Sequence, residues 1–327
     1  KFESGVNAVA GYAYAVARVR ALENKLIDRS QWDRLTGTNS PEEVWRILGE
    51  TVYARWMEGK KYHQYEDVFW RELAETAEFI RSVTTQDSFT QHYLFRYELH
   101  NLKTFFLQKI TGEPRQMQGS FIPVSMYGRE EAEKIVEEPR FHGEGLLAHM
   151  AKILHQTEFH HAQDLQRTVD NLYYAYMAAQ KKTFSPFLQK FWSDYIDLAN
   201  LRILLRVKVM GMNEEYLSSF LLPGGNLRTA EFIPALHWTD EEIRNWWLWR
   251  PTGRVFKELN TLEPLWKVEK AANEYLSERL DVAQRMAFGE EPIFNYLWEK
   301  EQEIRALRIL LAAKVNNLPD EEWKGRI

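Results

Sequence analysis

Apolar residues recur at helical spacing along residues 96–112, in the segment RYELHNLKTFFLQKITG. At ~100° per residue, the apolar positions within about one third of the helix circumference are Leu99, Leu102, Phe105, Phe106 and Ile110. The pattern predicts an amphipathic helix that packs this stripe against the rest of the protein. Glu98 and Lys109 fall inside the same stripe, where a charge without a partner is costly.

The same pattern occurs three times without a gap. The copies are ELHNLKTFFLQK from Glu98 to Lys109, DLANLRILLRVK from Asp197 to Lys208, and EIRALRILLAAK from Glu303 to Lys314. Each copy begins with an acid and ends with a lysine, and the basic residues at the sixth position are Lys103, Arg202 and Arg308. The acids are 99 and 106 residues apart. Self-similarity at this distance predicts three helical units of similar length.

Helix ends and starts recur in the same register. Gly112, Gly211 or Asn317 stands fourteen positions after each acid. Glycine and asparagine accept the left-handed backbone that often ends a helix, so the three helices are predicted to end there. A second marker precedes each copy, in SPEEVWRIL, GREEAEKIV and TDEEIRNWW, with Ser40, Asp240 or a neighbour as predicted N-cap.

Period-two alternation is scarce, so strands are not predicted and the fold class is all-α. Long helical patterns such as YEDVFWRELAETAEFIRSV lie between the two markers of a unit. The segments GSFIPVSMYG and FLLPGGNL have the composition of loops. We therefore predict three similar helical domains: 1–118 with an N-terminal lead-in, 119–222, and 223–327.

Composition narrows the function classes. With 45% hydrophobic and 27% charged residues, the chain resembles a globular protein with a full core. Its net charge of −5 is unlike that of most nucleic-acid binders, so nucleic acid is not expected as a partner. The absence of cysteine removes disulfides and thiolate chemistry and fits a reducing compartment. No apolar run approaches the ~18 residues of a membrane span, and the first twenty residues do not resemble a signal peptide.

Aromatic residues are abundant, at 14% of the chain. Most are expected to pack in the core. The alternative is that a cluster such as Trp246, Trp247 and Trp249 forms part of a surface that binds a partner, since tryptophan is enriched in such surfaces.

One segment suggests a metal site. Five of the nine histidines lie close together: His142, His149, His155, His160 and His161. Within this group His155, Glu158 and His161 are spaced by three residues, and Glu158 with His161 forms one E-x-x-H motif. Di-iron helical bundles need two such motifs and two further carboxylates. A structural role for these side chains is favoured, and a helical-bundle metalloenzyme is kept as the alternative function.

Other catalytic motifs are missing from the sequence. Gly224 and Gly225 lack the lysine and hydroxyl residue of a phosphate-binding loop, and there is neither a G-x-S-x-G nor an H-E-x-x-H motif. The acid and lysine of each repeat could form an acid–base pair or a charged lining. They could instead belong to a buried polar network that fixes how neighbouring helices pack. Triplication favours the network, because residues that stabilise the packing of one repeat unit are expected in every unit.

The triplicated segments also resemble a known family. ELHNLKTFFLQKITG, DLANLRILLRVKVMG and EIRALRILLAAK are similar to the C subunit of bacterial and archaeal rotary V/A-type ATPases, whose eukaryotic counterpart is called the d subunit. The lead-in YAYAVARVRALENKLI and the linker FLLPGG resemble that family too, so the similarity extends from about Tyr12 to the end. The third copy departs from the others, because Ala306 replaces the asparagine found at Asn101 and Asn200.

The resemblance implies a non-catalytic subunit without cofactors or metal ions. It implies three similar helical domains arranged with pseudo-threefold symmetry as a funnel, on the cytoplasmic face of the membrane. The expected partners are the central axle subunits of the D and F type and the proteolipid ring. Torque from ATP hydrolysis elsewhere would then pass through the protein to the ring, for ion transport or, in reverse, for ATP synthesis. A general helical scaffold with other partners is the remaining alternative.

Overall fold

The structure is a computed structural model that describes residues 2–111, 121–139, 145–159, 161–257, 259 and 262–327. Over these residues it is helical without a strand, which confirms the all-α prediction. The α-helices are α1 Phe2–Glu23, α2 Arg29–Thr36, α3 Pro41–Leu48, α4 Ala54–Met57, α5 Tyr65–Val83, α6 Phe89–Leu94, α7 Arg96–Thr111, α8 Arg129–Glu137, α9 Leu146–His155, α10 Ala162–Gln180, α11 Pro186–Val209, α12 Glu214–Phe220, α13 Asp240–Leu248, α14 Leu265–Leu280, α15 Glu291–Val315 and α16 Asp320–Trp323. The three repeats lie in α7, α11 and α15.

Local sequence signals set the helix boundaries. The Ser40 hydroxyl accepts the N–H of Glu43 and caps α3, as predicted. At α13 the cap is Thr239, the residue before Asp240, and it forms a capping box. Gly211 and Asn317 adopt φ of 65° and 51° after α11 and α15, which confirms these two helix ends. Gly112 lies outside the described residues.

The described chain forms two compact units. The terminal unit contains the residues up to Gln91 together with Ser277–Ile327. In it, α15 packs along α5 and α1 and also contacts α3. Residues 292–298 of α15 are all buried, so the helix is enclosed on every side rather than on one stripe. The helix of the third repeat therefore packs against elements of the first repeat.

The central unit contains His92–Leu276. In it, α7 packs on α10, α8 on α9, and α11 on α12. Residues 196–201 of α11 are all buried, so this helix is also enclosed. The division into 1–118, 119–222 and 223–327 follows from the sequence repeats and stays a prediction.

The described aromatic residues include fully buried rings, half-buried rings and a few exposed rings. Trp192, Trp247 and Trp323 are almost fully buried, as expected for core residues. Trp249 is 92% exposed, the largest exposed fraction among the large hydrophobic residues that stand at the described surface. No described helix is both long and apolar enough to cross a bilayer.

Candidate functional site

The first repeat acid binds the start of the following segment. Glu98 on α7 is buried, and its carboxylate accepts the Ser125 hydroxyl and the backbone N–H of Met126. These residues lie in the loop that leads to α8. The carboxylate therefore fastens this loop to the long helix of its own repeat.

The second repeat acid makes the same kind of contact. Asp197 on α11 accepts the N–H groups of Asn226 and Leu227, both at 3.1 Å, and the Asn226 side-chain amide at 2.8 Å. A Cβ atom on Gly225 would lie 2.1 Å from Asp197 Oδ1, so only glycine allows this close approach. Burial raises the pKa of the Asp197 carboxyl, and the N–H donors of Leu227 and Asn226 oppose part of that rise.

The third repeat acid binds a segment near the beginning of the chain. Within the terminal unit, Glu303 on α15 accepts the N–H of Ile27 at 2.5 Å and the Tyr53 hydroxyl at 2.6 Å. Ile27 directly precedes the N-cap of α2, and Leu227 directly precedes the N-cap of the short 3-10 helix Thr229–Glu231. Met126 lies two residues before the N-cap of α8. The three acids thus hold three corresponding positions of the repeat.

Glu303 also belongs to a buried ion cluster. Lys300 is 1% exposed, and its ammonium lies 2.8 Å from Glu303 and 3.5 Å from Glu72. Glu72 lies 2.6 Å from the Arg55 guanidinium. Burial and then the neighbouring Glu303 charge raise the pKa of Tyr53 well above its ordinary value. Sequence reasoning missed Lys300, although its position three residues before Glu303 on one helix was an available signal.

Two asparagines make structural hydrogen bonds that the sequence pattern did not predict. Asn101 donates to the Ile122 carbonyl and accepts the Ile122 N–H. Asn200 makes the same pair of bonds with Leu222, at 2.8 and 2.7 Å. Ala306 occupies the corresponding position in the third repeat and has no polar side-chain atoms. The asparagine thus serves as a second fastening in the two repeats of the central unit.

Two of the three basic residues at the sixth repeat position pair with a neighbouring helix. Lys103 lies 2.5 Å from Asp170 on α10, and Arg308 lies 2.9 Å from Glu66 on α5. Arg202 is half-buried on α11. The two observed pairs join a long helix to the helix that packs beside it.

The repeat lysines contact later elements of the same unit. Lys109 Nζ lies 3.4 Å from His155 Nδ1 at the end of α9, and Lys208 donates to the Trp238 carbonyl at 2.6 Å. Lys314 has Asp320 at 3.6 Å. Since eleven residues of helix span about 16 Å, the acid and lysine of one repeat do not form a pair with each other.

The proposed metal ligands do not share a helix. His155 is the last residue of α9, Glu158 lies in the loop, and His161 is the N-cap of α10. His155 Nε2 lies 2.6 Å from the Val136 carbonyl oxygen. Among the described residues no three His, Asp or Glu side chains are arranged to hold a metal ion. His142 and His160 lie outside the described residues, and His149 is exposed on α9.

A cavity of about 540 Å³ opens beside the ion cluster in the terminal unit. Its charged lining residues are Arg18, Lys25, Arg55, Glu72, Glu75 and Lys300. Arg55 binds both glutamates of the lining, and Lys300 binds Glu72. The acids are therefore engaged in ion pairs, which suits a stabilising role better than proton transfer.

Together, eight of the nine repeat residues, all except Arg202, make contacts that attach helices to loops or to other helices. The acids bind backbone N–H groups, and the bases bind carboxylates, a carbonyl or a ring nitrogen. Across the part of the chain that the structure describes, these residues do not converge on one cavity. The contacts favour the buried polar network over acid–base chemistry.

The chain matches the family model described as "ATP synthase (C/AC39) subunit" over residues 15–326. It is similar to the C subunit of the A-type ATP synthase of Methanococcoides burtonii, with 23% identity over 97% of this chain and 94% of the relative. The C subunit of the V-type sodium ATPase of Enterococcus hirae is 21% identical, over 94% of this chain and 95% of the relative. The C subunit of the A-type ATP synthase of Archaeoglobus fulgidus is 24% identical, over 96% and 95% respectively. Because the family model covers nearly the whole chain, this protein belongs to the ATP synthase (C/AC39) subunit family of the rotary ATPases.

Proposed function

We propose that the protein is a non-catalytic rotor component of the central stalk in a V/A-type rotary ATPase. It acts as a socket that receives the axle subunits of the D and F type and couples them to the proteolipid ring. Coupling of this kind serves ATP-driven ion transport or, in reverse, ATP synthesis. The observation that carries the proposal is the match to the C/AC39 subunit family over residues 15–326.

The repeat contacts support this proposal. A protein that transmits torque must resist shear between its helices, and buried hydrogen bonds and ion pairs between elements provide such resistance. Glu98, Asp197 and Glu303 each make contacts of this kind at a corresponding position. We further propose that three similar domains, 1–118, 119–222 and 223–327, surround a pseudo-threefold axis as a funnel.

The proposed location is the cytoplasmic face of the membrane, as a peripheral part of the complex. None of the described helices is long and apolar enough to cross a bilayer, and contact with the membrane sector is expected to run through the ring. A socket also needs surfaces for two different partners, and exposed apolar residues such as Met210 and Leu318 are available for protein contacts.

The test removes the protein from its native complex and then restores it. Without the protein, the detached head should still hydrolyse ATP, but the membrane vesicles should not accumulate ions. Addition of the purified wild-type chain should restore ATP-driven ion uptake, and a pull-down from solubilised membranes should recover the ring and the axle subunits. A Glu78→Ala chain, changed at an exposed position of α5, serves as the matched control and should restore uptake equally.

Two results would contradict the socket role. One is unchanged ion uptake in vesicles without the protein. The other is a pull-down that recovers neither ring nor axle, which would favour a general scaffold with other partners.

A further inference from the structure

The cavity in the terminal unit has a cationic side that the ion cluster does not use. Arg18 and Leu22 lie one turn apart on α1, and Lys25 lies in the turn that directly follows this helix. All three line the cavity, and we call them the basic wall. Arg18 and Lys25 are exposed, so small solutes reach them from water.

Neither cation of the basic wall has a carboxylate partner in the described part of the chain. The Arg18 guanidinium donates to the Tyr14 hydroxyl at 3.3 Å and lies over the Phe79 ring, 5.1 Å from its centre. Both of these partners are uncharged, so the arginine charge is not neutralised. The Lys25 ammonium has no ion pair with any described residue. Glu23, the acid nearest to Lys25 in sequence, binds another arginine of α1 at 2.6 Å.

The acids beside the cavity are bound by the other two cations of its lining. Arg55 lies 2.6 Å from Glu72 and 2.7 Å from Glu75, the two carboxylates of the lining. Lys300 lies 3.5 Å from Glu72 and 2.8 Å from Glu303, which is outside the lining. The four cations of the lining therefore outnumber these three carboxylates by one. The excess positive charge belongs to the basic wall.

The remaining lining suits an organic molecule better than a bare ion. A volume of about 540 Å³ lies within the range of ~300–1,000 Å³ that is typical of small-molecule sites. Leu22, Val52 and Phe79 give the cavity apolar surface. Burial and then the Glu72 charge raise the pKa of Tyr296, so its hydroxyl stays neutral and does not repel an anion.

We propose that this cavity binds a small organic phosphate, with the phosphate on the basic wall and the organic part against the apolar lining. A phosphate monoester carries about −1.5 to −2 charges at pH 7, which matches two cations without carboxylate partners. The forked N–H donors of Arg18 fit phosphate oxygens, and Lys25 adds a point charge. The organic part contacts Leu22 and Phe79, so the ligand bridges α1 and α5.

This ligand site goes beyond the socket function and does not depend on it. Ligand binding is measured on the purified chain without ring or axle, whereas the socket role is measured on vesicles that contain the complex. A negative result in one measurement leaves the other unaffected.

Isothermal titration calorimetry of the purified full chain with ADP tests the proposal. ADP is the probe because it carries both phosphate and an organic part. We expect saturable binding below about 1 mM that weakens as salt is added. Adenosine lacks the phosphates and inorganic phosphate lacks the organic part, so each should bind at least about tenfold more weakly than ADP.

Three variants test the charges of the lining, and a fourth is the matched control. Arg18→Gln and Lys25→Gln should each weaken ADP binding about five- to tenfold, because each removes a cation of the basic wall. Glu75→Gln should tighten it about threefold, because it removes a like charge and releases Arg55 from one partner. Lys61, an exposed cation of the same unit, lies outside the lining, so Lys61→Gln should bind ADP like the wild type.

Thermal unfolding without ligand checks that each variant is folded, and substitutions of these exposed side chains should shift the midpoint little. The proposal is overturned if the wild-type chain does not bind ADP, or if adenosine or inorganic phosphate binds as tightly as ADP. Wild-type affinity in both Arg18→Gln and Lys25→Gln would also overturn it. Weaker ADP binding in Glu75→Gln would contradict it as well, because the lining would then not act as an anion site.

Discussion

The repeat acid is fastened differently in the central and the terminal unit. In the central unit, Asp197 binds backbone N–H groups, and Asn200 adds a second pair of bonds to Leu222. In the terminal unit, Glu303 binds the Ile27 N–H and a buried lysine, and Ala306 replaces the asparagine. At the same position of the repeat, the acid is therefore bound by neutral N–H groups in the central unit and belongs to an ion cluster in the terminal unit.

The difference follows from the backbone that each long helix faces. Ile122 and Leu222 lie in non-helical segments, whose N–H and C=O groups need partners from elsewhere. The corresponding stretch of the terminal unit is the end of α1, where the Leu22 and Glu23 carbonyls already accept the N–H groups of Lys25 and Leu26. An asparagine at position 306 would find no free backbone pair there. Alanine at this position is thus a consequence of the helical lead-in.

The largest expected effect is at the ion cluster. Glu303→Ala should lower the free energy of unfolding by about 3–5 kcal/mol, because Lys300 loses its nearest counter-charge while buried. Urea unfolding measures the change, and Glu78→Ala on the exposed face of α5 should stay within about 0.5 kcal/mol. Replacing Lys300 by Met in the Glu303→Ala chain should recover part of the loss. A loss in Glu303→Ala as small as that in Glu78→Ala would show that the cluster is solvated.

A smaller effect is expected at the asparagine. Asn200→Ala should cost about 2–4 kcal/mol, because the buried N–H and C=O of Leu222 both lose their partner. Asn101→Ala should give a similar loss in the same measurement. Ala306→Asn in the terminal unit should bring no gain, since its backbone partners are already engaged. A gain of stability in Ala306→Asn would refute the explanation given for the third repeat.

The contribution of Asp197 to stability is expected to depend on pH. Burial holds its folded pKa above the unfolded value, so this group stabilises the fold most when protonated, below the unfolded pKa. That contribution is lost as the pH rises through the folded pKa. The stability of the wild type relative to Asp197→Asn should therefore increase as the pH is lowered from neutral toward the unfolded pKa. Thermal unfolding of both chains across this pH range measures the difference in stability. A difference that does not change with pH would contradict a raised pKa of Asp197.

The smallest effects are expected at the partly exposed ion pairs. Lys103→Gln and Arg308→Gln should each cost at most about 1 kcal/mol, because water screens their pairs with Asp170 and Glu66. The same urea titration measures them, with added salt weakening the wild-type contribution. A loss as large as that of Asn200→Ala would mean that these pairs, rather than the acid and asparagine, hold the helices together.

Much of this arrangement could be predicted from the sequence, because the helices repeat their apolar spacing and their caps. Gly211 and Asn317 follow the ends of their helices as predicted, because the backbone there adopts a left-handed conformation that glycine and asparagine tolerate. The roles of Asn101 and Asn200 could not be predicted, because their partners are backbone atoms more than twenty residues away. Neither could the closure of Glu303 onto Ile27, which depends on tertiary packing of the first and third repeats. The E-x-x-H motif was misleading because α9 ends at His155, before the motif begins.

Hydrogen exchange at three backbone amides tests the central claim most directly. If each repeat acid fastens the start of a following segment, the amides of Met126, Leu227 and Ile27 are protected in the wild-type chain. Replacing one repeat acid by alanine should abolish protection at the amide that this acid binds, in Glu98→Ala, Asp197→Ala and Glu303→Ala alike. In each variant, the tested amides that lie in the other compact unit should stay protected. Rapid exchange of these amides in the wild type, or protection that survives removal of the matching acid, would contradict the claim.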